Sequence, residues 1–201
     1  MKKRYFKSEL FSIDSPAGKI TLLSLAIPIL FEYIMNTLQG TVNTAVLSGY
    51  SDNAVGAVGA VNPLVSILLL FTSVISMGIT VVVSNYLGAQ NIKKAQQICF
   101  SGIAVSTGVT LLLCPLLLAL APTLMRLLNL SGEIYSFALT YFIWRVAFLV
   151  TQAVTTASYS ILRCYGKSNF TFVVGFAVNI INLLLNIVVI YYPQYSPAMN
   201  F

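Results

Sequence analysis

Histidine is absent from the 201 residues, and charged residues make up only 8% of them. The first absence removes the commonest general base and metal ligand. No Ser/His or Cys/His arrangement can exist, and the apolar runs hold no paired carboxylates, so the chain is not read as an enzyme. The three cysteines, Cys99, Cys114 and Cys164, are far apart and odd in number. They form no C-x-x-C or zinc-ligand spacing and are read as apolar thiols without disulfide or metal. No cofactor is expected. Scarcity of charge also excludes a soluble domain, whose composition is typically about 25% charged.

What is present is apolar: 58% of the chain is hydrophobic and the mean hydropathy is +0.87. Such a chain belongs in a bilayer. The net charge of +6 does not point to nucleic acid, because the basic residues stand at the ends of apolar runs. MKKRYFK resembles the start of a signal peptide, yet Asp14 and Pro16 follow it and no small-residue cleavage site comes after the next apolar run. We read a cytosolic tail over 1–18, a transmembrane region over 19–193 and a short external tail over 194–201.

Five spans are expected, at about 20–47, 54–87, 96–125, 133–163 and 168–192, each above the roughly 20 residues that cross a bilayer. SGYSDN, LGAQN, Gly166 and Pro193 close four of them. Pro115 and Pro122 are expected to bend the third. Lys2, Lys3, Arg4, Lys7, Lys19, Lys93, Lys94, Arg163 and Lys167 all fall on one side, with Arg126 near the other. The positive-inside rule then puts the N-terminus in the cytosol and the C-terminus outside. The fold class is an all-α polytopic membrane protein.

Polar residues in these spans fall on stripes. Glu32, Asn36, Gln39 and Asn43 lie within roughly 60° of one another at about 100° per residue. Asn179, Asn182 and Asn186 share a face of the fifth span, with Gly175 a turn earlier. In the fourth, Tyr141, Arg145, Gln152, Thr155, Thr156, Tyr159 and Arg163 lie within about 100°. Lipid offers such groups no partners, so the stripes should face one another or a water-filled cavity. A plain structural alternative is that the amides bond neighbouring helices, at about 0.6 kcal/mol each.

Glu32 lies about 15 Å into its span, where a charged carboxyl costs roughly 2.5–3.5 kcal/mol. A carboxyl that gains and loses a proton as its surroundings open and close can couple ion movement to transport. The alternative is a permanently protonated group bonded to a neighbouring helix. Arg145, beside Tyr141, Phe142 and Trp144, is read as snorkelling in an aromatic belt. Pro28 and Pro63 break the backbone ladder and are candidate hinges. Gly56 and Ala60 suit close helix approach.

Several segments together resemble the multidrug and toxic-compound extrusion (MATE) family. SLAIPILFEYIMNTLQGTVNTAVLSG is similar to that family's first helix, and GITVVVSNYLGAQNIKKA to the end of its second helix and the following cytosolic loop. ILRCYGKSNF followed by NIINLLLN is similar to the close of its fourth helix and the body of its fifth. The resemblance implies a twelve-helix fold of two six-helix lobes around a cavity that alternates between membrane faces. It implies export of cationic or amphipathic drugs and metabolites against a proton or sodium gradient, across the bacterial inner (plasma) membrane. This chain would correspond to helices 1–5 of the first lobe, with a C-terminal lobe or second subunit as partner. Where the family has V-D-T this sequence has Asn43, and in N-x-x-x-D the amide Asn182 matches while Asn186 replaces the acid. Neither replacement titrates, and both lie at a similar height, where they can meet. The candidate cavity residues are therefore Glu32, Asn36, Asn43, Gln152, Tyr159, Asn179, Asn182 and Asn186. Two other readings stay open: a flippase for lipid-linked precursors or polysaccharides, and a membrane binding or assembly partner without transport.

Overall fold

The computed structural model describes residues 12–15, 18–49 and 51–191. A short antiparallel hairpin, β1 (Ser12–Ser15) and β2 (Gly18–Thr21), pairs Ser12 with Thr21 and Ser15 with Gly18. It stands where a plain tail was expected, with Ser15 paired to Gly18 at its closed end. Six helices follow: α1 (Leu22–Ser48), α2 (Asp52–Gly88), α3 (Ile92–Leu127), α4 (Gly132–Ala147), α5 (Leu149–Cys164) and α6 (Ser168–Tyr191). The expected tail over 194–201 and the first residues of the N-terminal tail lie outside the described residues.

The turns between helices have identifiable chemistry. The Ser51 hydroxyl accepts from the Ala54 amide at 3.4 Å to start α2, and Asn91 Oδ1 accepts from the Lys94 amide at 3.2 Å to start α3. Three helices end in a Schellman motif. At the end of α2, the Asn91 amide returns to the Tyr86 carbonyl at 2.9 Å, with Gln90 at φ 56°. The end of α5 repeats this, Lys167 donating to the Leu162 carbonyl at 2.9 Å around Gly166 at φ 74°. LGAQN and the Gly166 turn thus close helices as their sequence suggests.

The core lies among α2, α3, α4 and α5. One stripe of α2 (Ala54, Ala57, Val61, Val65, Thr72, Ser76, Ile79 and Val83) is buried at helical spacing. Ala57, Val61 and Val65 pack with Ala121, Met125, Ala138, Phe142 and Val146 at one end. Ile79 and Val83 pack with Ala157 at the other, flanked by Cys99 and Cys164. Between the two lie the buried hydroxyls of Thr72, Ser76, Ser106 and Thr110. The close approach is at Gly102, where a Cβ would stand 2.8 Å from Ile79 Cγ1, whereas Gly56 faces open space. The outer surface is apolar, with Leu70, Val74 and Met77 of α2 and Phe100 and Leu112 of α3 exposed. For a chain whose solvent is lipid this is the expected surface.

Helices α2, α3 and α6 (over Ser168–Asn186) are long and apolar enough to cross a membrane, and α4 with α5 makes a fourth if the pair is one span. Helix α1, expected as the first span, is not among those counted over the described residues. The fourth expected span is two helices bent by 45° about Phe148. No proline or glycine is near. Phe148 takes φ −84° and ψ 0°, and the Cys114 thiol donates to the Val146 carbonyl at 3.3 Å, occupying an acceptor of the helical ladder. By contrast α1 runs unbroken through Pro28, α2 through Pro63 and α3 through Pro115 and Pro122. The visible break is therefore not at the residues proposed as hinges.

Candidate functional site: a polar seam between α1, α5 and α6

Helix α1 packs chiefly on α6. Asn179 Nδ2 donates to Asn36 Oδ1 at 3.3 Å, and Asn186 Nδ2 donates to Asn43 Oδ1 at 2.7 Å. Partners in both bonds are 143 positions apart, and Gly175 faces Glu32 Cγ at 3.8 Å with the same offset. A constant offset means the helices run parallel, with side chains meeting at steps of four and then seven residues, as along a coiled-coil seam. Asn186 Nδ2 also donates to Asn182 Oδ1 at 3.0 Å. One amide nitrogen thus ties two oxygens, from α1 and from its own helix. A carboxylate at 186 would accept at that point; the amide donates, and the bond does not depend on pH. Among the described residues, every fully buried side chain of α1 and α6 is polar: Glu32, Ser168, Thr171 and Asn179.

Glu32 is the one carboxyl on α1, α5 or α6, and it is not alone. Arg163 Nη2, from the last turn of α5, reaches its Oε1 at 2.8 Å and Oε2 at 2.9 Å. The Glu32 side chain is 10% exposed and that of Arg163 32%. Tyr159, one turn before Arg163, lies within electrostatic reach of both. The sequence reading counted Arg163 with the cytosolic-loop charges and missed this partnership. Its only signals were membership of the α5 stripe and the length of an arginine stem.

The fourth-span stripe does not stay together. Below the Phe148 break, Tyr159 and Arg163 turn toward α1. Above it, Tyr141 donates to Asn62 Oδ1 of α2 at 3.2 Å. Gln152 and Arg145 line a cavity of about 40 Å3 with Val65, Leu68 and Leu69 of α2. Gln152 lies on α5 on the same side of the bend as Tyr159, but its side chain bonds Thr156 Oγ1 at 3.5 Å and lines the α2 cavity instead of meeting the amide pairs. Of the predicted cavity residues, Glu32, Asn36, Asn43, Tyr159, Asn179, Asn182 and Asn186 form the seam, and Gln152 lies outside it. Pro28 lies one turn before Glu32 on α1, and Pro63 lies on α2 away from the seam.

An apolar outer surface around a polar seam defines a multi-pass membrane protein. The MatE family model matches residues 28–188, and the chain belongs to that family. It is 31% identical over 192 residues to the uncharacterized transporter YisQ of Bacillus subtilis, covering 95% of this chain and 42% of that protein. With the probable multidrug resistance protein NorM of Thermotoga maritima it shares 28% identity over 203 residues, 43% of that protein. The chain thus spans less than half the length of these relatives. One is named as a transporter and the other as a multidrug resistance protein, and neither as an enzyme. Among solved structures, a MATE in complex with MaD3S superposes with a TM-score of 0.81 at 19% identity, over 87% of this chain and 39% of that one. A MOP superfamily transporter from Pyrococcus furiosus gives 0.79 at 20% identity, over 86% and 38%. Both show the same arrangement of helices.

Proposed function

We propose that this chain forms the cavity-lining first lobe of an efflux antiporter that exports cationic or amphipathic small organic compounds against a proton or sodium gradient. The observation that carries the reading is the seam, which places one carboxyl and five asparagines between helices of an otherwise apolar body. Polar groups held at this depth mark substrate and ion pathways. The kinship with NorM of Thermotoga maritima supports the substrate class. Glu32 is the coupling group, since the amides at 43, 182 and 186 cannot titrate. Alternating access takes two bodies moving about a site, so transport is proposed of an assembly in which this chain supplies one body. The clustering of basic residues supports a cytosolic N-terminus in the bacterial plasma membrane, with α6 ending at the outer face.

The test is ion-driven efflux of a fluorescent cation such as ethidium, in everted vesicles carrying the complete transporter. Glu32→Gln is expected to abolish gradient-driven efflux while insertion and ethidium binding persist. Undiminished coupled efflux by a correctly inserted variant overturns the role of Glu32.

A further inference from the structure

Among the described residues, the Glu32–Arg163 contact is the sole ion pair, and it joins two helices that otherwise scarcely pack on each other. Helix α1 rests on α6 and then α2, and the long Arg163 side chain reaches across to it from α5. Its geometry is also unlike that of a permanent structural clamp. A committed arginine–carboxylate pair is a fork, with two nitrogens donating in parallel. Here a single nitrogen, Nη2, serves both oxygens, while Nε is buried and has no partner. The Arg163 side chain is a third exposed, beside the end of α5, so its stem can swing outward to water.

Among the described residues, no cation other than Arg163 is paired with Glu32. Helix α6 presents Gly175 and carries no charged residue; α2 carries only Asp52, at its far end; α5 offers Tyr159 and Arg163. On α1 itself, the neighbouring Asn36 is bonded to Asn179. Withdrawing Arg163 leaves a buried carboxylate uncompensated, which is costly unless another positive charge replaces it. A proton or a ligand cation at Glu32 is such a replacement.

We infer that Arg163 is the resident cation of the Glu32 site: its guanidinium holds the position that a coupling proton or an organic cation takes on loading, and loading expels it. The inference rests on the reading of Glu32 as the coupling carboxyl. Expulsion also unties α1 from α5, so occupancy of the site is transmitted to helix packing. Arg163 is on this account a positioning residue acting through Glu32.

The test uses the native transporter in its membrane and dicyclohexylcarbodiimide, which modifies carboxyls in their protonated form. Arg163→Gln is expected to raise labelling of Glu32 at pH 7 by about tenfold or more, and tetraphenylphosphonium is expected to suppress that labelling. Arg163→Lys, which keeps the charge, is expected to return it toward the wild-type rate. A purely packing role predicts no rescue by lysine. Wild-type protein supplies a second readout should Arg163→Gln fail to fold: tetraphenylphosphonium should increase modification of Arg163 by phenylglyoxal. Labelling unchanged in Arg163→Gln, or arginine modification unchanged or reduced by the cation, overturns the inference even if Glu32→Gln abolishes efflux. If labelling responds as expected but Glu32→Gln transports normally, the coupling reading fails and the loading role of Arg163 fails with it.

Discussion

The four helices α2–α5 and the pair α1–α6 are held together by different means. In the first group the buried side chains are mainly Ala, Val, Ile, Met and Phe, interlocked by shape. In the second, among the described residues, all fully buried side chains are polar, and the bonds across the pair are between amides. The aromatic contact between α1 and α6 among the described residues is the tilted Phe31–Phe172 pair, at 6.3 Å between ring centroids. In lipid no hydrophobic force drives apolar surfaces together, so packing without voids and hydrogen bonding are the two remaining sources of cohesion. The α2–α5 group relies on the first, which is rigid. The α1–α6 pair relies on the second, which fixes register while adding little energy.

The comparison can be pressed from its strongest element to its weakest. Phe142→Ala in the α2–α5 group is expected to cost about 2–4 kcal/mol, somewhat under the soluble-core range because lipid removes the transfer contribution. Thermal unfolding in nanodiscs measures it, and a loss below 1 kcal/mol would mean that this group is not the rigid one. Glu32→Gln cuts the tie between the groups and should destabilise the docking of α1 by about 1–3 kcal/mol. That loss is read as faster hydrogen exchange in α1 with α2–α5 unaffected. Gly102→Ala forces a Cβ against Ile79 and should cost about 1–2 kcal/mol. Ile79→Val in the same molecule should recover part of that loss. Least of all, a double-mutant cycle on Asn43→Leu and Asn186→Leu should give a coupling of about 0.6 kcal/mol. A value several times larger would make the amide pair a structural anchor rather than a register mark.

Legibility followed the same division. The stripes of α1 and α6 could be read because asparagine in an apolar run is conspicuous and its spacing gives the face directly. From that spacing alone Asn43 and Asn186 could be placed at one height, and they are bonded. The hydrophobic group was legible as spans but not as contacts, since its residues resemble the lipid-facing ones. Gly56 was favoured for close approach, while the tight contact is Gly102 on Ile79. The bend at Phe148 carries no sequence mark, because its visible cause is a thiol from another helix reaching the Val146 carbonyl. Arg163 was assigned to a loop by its place in the sequence, whereas its side chain extends some way back toward the membrane interior.

The constant offset between α1 and α6 also settles a matter of parity. Two helices that point the same way must be separated by an odd number of passages through the bilayer. With α1 taken as a span like α6, and α2 and α3 making two passages, α4 and α5 together make one, in keeping with their bend of only 45°. The kinked pair is therefore a single traverse rather than a hairpin returning to the side it left, and a handful of asparagine contacts on other helices decides how a distant bend is threaded.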